Sequence, residues 1–105
     1  MSAIVKAQER RRAERREVRL VVEGCPGVRG AVDWATNLSL DGVRIERRLP
    51  LWAGSELEIV VHLPSGPLRM RAVVIAGHPS GTGVRFIDPS ADDVRRLCDL
   101  LDSPT

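Results

Sequence analysis

At 105 residues the chain has room for one small domain with a single core, and its 43% apolar content suits a globular fold rather than a disordered one. No apolar run approaches the ~20 residues of a membrane-spanning helix, so membrane insertion is not expected. The net charge of +2 is unevenly spread: Lys6 to Arg19 holds seven basic and three acidic residues, which leaves the rest slightly acidic.

The first eight residues read as a flexible tail. Glu9 to Arg16 (E-R-R-R-A-E-R-R) follows as an arm in which five of eight residues are arginine. Its helix propensity is good, but no apolar stripe runs through it. A guanidinium is a planar fork of donors that matches phosphate oxygens and the O6/N7 edge of guanine. The arm therefore reads as a capture device for an anion, mobile alone and ordered by a ligand. No secretory pattern opens the chain, because charge starts at Lys6 and no apolar segment follows, so a cytoplasmic location is expected.

Val18 to Glu23 is β-branched and partly alternating, a strand. Cys25-Pro26-Gly27 breaks it. Gly30 to Asn37 is a second strand, with Val32, Trp34 and Thr36 on one face. Asn37 to Gly42 (N-L-S-L-D-G) is built from turn formers. Gly42 to Arg47 is a third strand, hairpinned to the second, with Val43 and Ile45 on one face and Arg44 and Glu46 on the other. Ser55 to Leu63 alternates most clearly, placing Leu57, Ile59, Val61 and Leu63 together. Pro64 to Pro67 turns the chain. Leu68 to Ile75 returns with Leu68, Met70, Ala72 and Val74 inward. Gly77 to Gly81 turns again, and Gly83 to Ile87 is a sixth strand with Val84 and Phe86 inward.

The ending differs. Ser90 and Asp93 have capping-box spacing. Ala91, Val94, Leu97, Cys98 and Leu101 then form one apolar stripe, while Asp92, Arg95, Arg96, Asp99 and Asp102 face water. These signals predict a mostly β fold: six antiparallel strands over residues 18–87 forming a barrel or a sandwich, with a C-terminal α-helix over 90–102 packed on it.

Arg11-x-x-x-Arg15 followed by Asn37-x-Ser39-x-x-Gly42 resembles the paired signature of the PilZ domain, R-x-x-x-R and then D/N-x-S-x-x-G. Leu49-Pro50-Leu51 with Gly54, and G-V-R-F-I-D-P-S before the last helix, resemble the family as well. The resemblance covers roughly residues 9–102. Arg12 and Arg16 satisfy the same arginine spacing. The Arg11/Arg15 register is preferred, because E-R-R-R-x-x-R followed by x-x-V is the family's usual spelling into the first strand.

The resemblance implies the six-stranded antiparallel β-barrel of the two folds, and a bacterial cyclic di-GMP receptor or adaptor, not an enzyme, with no metal and no resident cofactor. Its arm would close on the ligand and change the surface shown to an effector protein, and motility is one process such proteins control. A homodimer is compatible with it. The residue chemistry agrees. Arg11 and Arg15 suit phosphate or the guanine edge, Asn37 a guanine edge, and Ser39 a phosphate oxygen. Gly42 leaves room for the backbone to turn and the ligand to approach, and Arg10, Arg12 and Arg16 are secondary contacts.

Other readings compete. Alone, N-x-S-x-x-G is a β-turn, and Arg19 is a solvated charge. A PilZ-like interaction module that binds no nucleotide and serves motility or secretion is the alternative. DNA or RNA binding is disfavoured by a near-neutral body with two tryptophans, one phenylalanine and no tyrosine. His62 and His78 have no metal-ligand partners at suitable spacing, and Ser39 has no His/Asp framework for a nucleophile. Cys25 and Cys98 fit reduced thiols, and Trp34 and Trp52 fit packing.

Overall fold

The computed structural model describes residues 15–26, 32–78 and 80–102. Six strands and one helix follow one another: β1 (Arg16–Glu23), β2 (Asp33–Leu38), β3 (Gly42–Ile45), β4 (Glu56–Leu63), β5 (Gly66–His78), β6 (Gly81–Phe86) and α1 (Ala91–Asp102). The strands close into an antiparallel barrel in the order β1-β2-β3-β6-β5-β4, which returns to β1. Closure leaves no sheet edge exposed.

Alternation decides which side chains fill the barrel. In β4, Ile59, Val61 and Leu63 are buried, and in β5 Leu68, Met70, Ala72 and Val74 are. Val43 and Ile45 of β3, and Val84 and Phe86 of β6, complete the core with Val22 of β1. The outer faces of β4 and β5 carry cross-strand ion pairs, Arg69 with Glu58 at 2.8 Å and Arg71 with Glu56 at 3.4 Å.

Two strands depart from expectation. β5 is thirteen residues long, because Gly77 and His78 continue its pairing with β6 instead of turning. A register shift between Val74 and Ala76 lets them do so. In β2, Trp34 and Thr36 stand on the outer side, as does the exposed Val32 just before it, and the inward residues are Asp33, Ala35 and Leu38. Asp33, only 5% exposed, is held by Arg47, whose guanidinium donates to both carboxylate oxygens at 2.7 and 3.0 Å and to the Pro26 carbonyl at 2.7 Å. This fork ties the β1–β2 connection to the end of β3. Trp34 is covered by Arg19, whose guanidinium lies 4.2 Å above the ring and 3.6 Å from Glu46. Arg19 is thus a stacking partner, not a simple solvated charge. Trp52 is 87% exposed and packs on nothing in the core, against expectation.

The helix begins as its sequence demands. Ser90 Oγ accepts from the Asp93 amide at 3.1 Å, and the Asp93 carboxylate accepts from the Ser90 amide at 3.0 Å. Leu97 is fully buried against the barrel, flanked by Cys98 and Leu101. Arg96, expected to face water, instead donates to Ser65 Oγ, the Gly66 carbonyl (2.7 Å) and the Pro67 carbonyl (3.0 Å). It clamps the helix to the β4–β5 turn. At the other end, Arg16 donates to the Leu100 carbonyl. The last turn of α1 has no basic residue of its own, so β1 supplies the cation that complements the helix carboxyl end. The helix therefore covers the barrel end where β1 starts and the β4–β5 turn lies. The β2–β3 turn is at that same end, because Arg16 of β1 pairs with Leu38 of β2.

Candidate functional site

The β2–β3 turn positions the second motif. Ser39 donates its amide to the Gly42 carbonyl at 3.0 Å and closes the loop. Its hydroxyl oxygen accepts from the Asp41 amide at 3.2 Å and the Gly42 amide at 3.3 Å. That is a serine turn, in which the side chain substitutes for a backbone acceptor. With both acceptor positions engaged, the hydroxyl proton is left to donate. Ser39 is only 9% exposed, so the turn holds that donor in one place.

Asn37 reaches the outer surface because of a bulge. Ala35 pairs with Ile45 and Asn37 with the next residue of β3, Arg44, so β2 carries one extra residue at Thr36. The extra residue resets the alternation. Ala35 and Leu38 both point inward, and Asn37 turns outward beside Arg44. Asn37 Oδ1 is buried and has no hydrogen-bond partner. A buried acceptor without a donor is costly, of order 1–3 kcal/mol, so this atom is poised for one.

Gly42 of β3 lies directly against the backbone of β6. A Cβ there would lie 2.1 Å from the Val84 carbonyl oxygen. The barrel itself therefore demands glycine at this position, independently of any ligand.

These residues line one open cleft of roughly 260 Å³, together with Arg15, Asp41, Arg44, Ile75, Gly77, Gly83 and Arg85. Arg15 is at the mouth of β1, exposed. Arg16 is the next residue, and side chains alternate at a strand start, so it points to the helix end instead. Arg10, Arg11 and Arg12 lie outside the described residues. The structure thus brings Arg15, Asn37, Ser39 and Gly42 together and sends Arg16 elsewhere. The cleft carries three guanidinium groups and one carboxylate among the described residues, a net positive seat over a floor of glycine backbone.

Arg44 and Arg85 were not among the expected site residues. The alternation of β3 and β6 shows both pointing outward. Only the β3–β6 pairing brings them together, and that pairing joins segments some forty residues apart.

Among the described residues, no group of three or more His, Cys, Asp or Glu side chains is placed to hold a metal. Cys25 is half-buried beside Asp33, and burial, with Asp33 adding to it, pushes its thiol up to about 12. No helix among the described residues is long and apolar enough to cross a membrane.

Comparison with known proteins fits this geometry. The family whose model matches is the PilZ domain, over residues 9–103. The chain belongs to the PilZ domain family. PilZ domains are binding and adaptor modules of cyclic di-GMP signalling rather than enzymes. Among solved structures, the chain is similar to the PilZ domain of CeSA from a cellulose-synthesizing bacterium, with a TM-score of 0.61 and 13% identity. That likeness covers 84% of this chain and 94% of the other, and at such low identity it bears on the fold. No curated protein matches the chain.

Proposed function

We propose that this protein is a cyclic di-GMP receptor whose ligand seats in the cleft between the start of β1 and the β2–β3 turn. The observation that carries the reading is the meeting of the two motif halves. Arg15 lines the same cleft as Asn37, whose buried Oδ1 lacks a donor, and Ser39, whose hydroxyl proton is free. Guanine supplies N–H donors at its Watson–Crick edge, which suit Asn37 Oδ1, while its O6/N7 edge suits an arginine fork. The cyclic phosphates supply acceptors for Ser39 and Arg15. Arg11 is assigned to the arm that closes over the ligand, with Arg10 and Arg12 as secondary contacts. Arg15 facing the cleft supports the Arg11/Arg15 register, and Arg16 is reassigned to the helix. The protein acts in the cytoplasm, as a monomer or homodimer, through an effector protein that reads the liganded surface.

Calorimetric titration with cyclic di-GMP tests this, beside Arg15→Ala and with GTP and cyclic di-AMP as controls. Arg15 is exposed and makes no hydrogen bond or ion pair among the described residues, so its loss leaves the fold intact. Saturable binding in the parent, weakened at least tenfold in Arg15→Ala and absent for GTP, is the expected result. The exposed side chains of Trp52 and Ile75 favour a second reading, an adaptor that docks on a protein without nucleotide. No heat with cyclic di-GMP in the parent would leave that reading standing alone.

A further inference from the structure

The arginines of this chain are not all used alike. Arg19, Arg47, Arg69, Arg71 and Arg95 each pair with a carboxylate, and Arg16 and Arg96 donate to backbone carbonyls. Four described arginines make no such contact: Arg15, Arg44, Arg48 and Arg85. Three of the four line the cleft. Arg44 and Arg85 belong to neither motif.

Their setting on the barrel wall is reciprocal. Arg44 of β3 faces Gly83 of β6, and Arg85 of β6 faces Gly42 of β3. Each guanidinium therefore has bare backbone opposite it instead of a side chain. The two residues are diagonal neighbours across the strand pair, about 7–8 Å apart. Like charges this close repel, and among the described residues neither makes an ion pair, the one carboxylate lining the cleft being that of Asp41. Asn37 flanks Arg44 on the other side, paired with it across β2 and β3. An anion resting on the glycine floor would meet both cations at once.

We infer that Arg44 and Arg85 form a second anion seat in the cleft, holding one phosphate of the ligand while Arg15 and Ser39 hold the other. The inference rests on the cyclic di-GMP reading and deepens it. It makes the barrel wall, not only the N-terminal arm, a determinant of specificity. The seat selects guanine nucleotides with two separated phosphates over those with one.

The test uses the full chain and calorimetry with cyclic di-GMP and cyclic GMP. The variants are Arg44→Gln, Arg85→Gln, Arg44→Lys and Arg85→Lys, with Arg48→Gln as an off-cleft control and Arg15→Ala as the reference. Each Gln variant is expected to weaken cyclic di-GMP about tenfold, and the double variant more than either alone, though not by the simple product because the two share one phosphate. The Lys variants recover much of that loss, since they restore charge without the fork. The preference for cyclic di-GMP over cyclic GMP shrinks in the double variant. Arg48→Gln binds as the parent does, and all the Gln variants melt as the parent does without ligand. If the parent binds and Arg15→Ala does not, but both Gln variants bind normally, the second seat is overturned while the receptor reading stands. Weakened binding that tracks a lowered melting temperature also overturns it, because the arginines would then be structural. A parent that binds neither nucleotide overturns both.

Discussion

Ser39 and Gly42 each have a structural duty that stands apart from any ligand. Ser39→Ala leaves two turn amides without their acceptor, a cost of about 1–2 kcal/mol. For a domain of this size that lowers the melting temperature by roughly 5–15 °C. Gly42→Ala is worse, because a methyl cannot fit 2.1 Å from a backbone carbonyl without prising β3 from β6. It is expected to cost about 3 kcal/mol or more. Differential scanning fluorimetry of the ligand-free variants reads both effects. A Gly42→Ala protein that melts like the parent would show that β3 and β6 can separate at this point without loss. Only then would the glycine's role reduce to ligand approach.

Cys25 gives a pH signature. Burial, then Asp33, raise its thiol from 9.0 to about 12 in the folded chain. The folded state therefore binds that proton more tightly than the unfolded state. The sign follows from linkage: this contribution to stability is whole below pH 9 and is lost as pH rises toward 12. At pH 8 the thiolate fraction is on the order of one in ten thousand, so iodoacetamide should label Cys25 only slowly until urea unfolds the chain. Rapid labelling of Cys25 in the native protein at pH 8 would contradict this.

At the scale of elements, α1 is tied to the barrel by two arginines that are not on its apolar stripe. Arg96 grips the β4–β5 turn, and Arg16 of β1 grips the helix carboxyl end. Arg16 follows Arg15 directly, so the residue that faces the cleft and the residue that holds the helix share one short stretch of backbone. A ligand held by Arg15 should therefore stiffen the last turn of α1. Arg16→Ala is expected to raise amide exchange across residues 98–102 in the free protein, and to remove most of any protection gained there with cyclic di-GMP. Ligand-induced protection that persists in Arg16→Ala would rule out this route.

The same scale shows why some elements were legible and others were not. The strands β4 and β6, the inward set of β5 and the capped helix follow from local pattern. Period two, period 3.6 and a Ser-x-x-Asp box depend on neighbours within a few residues. The face of β2 was not legible. Its outer Trp34 and the Val32 that precedes it are as apolar as a core face, while the inward Asp33 is charged. The Arg47 fork that makes a buried Asp33 tolerable comes from another strand. The bulge at Thr36, which turns Asn37 into the cleft, has no mark in the sequence either.

At the scale of the whole molecule, a ligand that binds only the folded chain stabilises it by mass action. At a hundred times its Kd, cyclic di-GMP should add about 2.7 kcal/mol and raise the melting temperature by roughly 10 °C or more. A shift under a degree at that ratio would contradict specific binding to the native barrel.

By itself the sequence determined six strands with a terminal helix, the family resemblance that implies a barrel, and the motif residues Arg11, Arg15, Asn37, Ser39 and Gly42. Those signals are local in the chain, carried by period, turn chemistry and short spacings. Tertiary structure alone decided that Arg16 and Arg96 hold the helix and that Gly42 is needed for strand contact. It alone brought Arg44 and Arg85 together. The physical reason is closure: a barrel sets its neighbours by which strands pair, and β3 meets β6 across a sequence gap that no local pattern records.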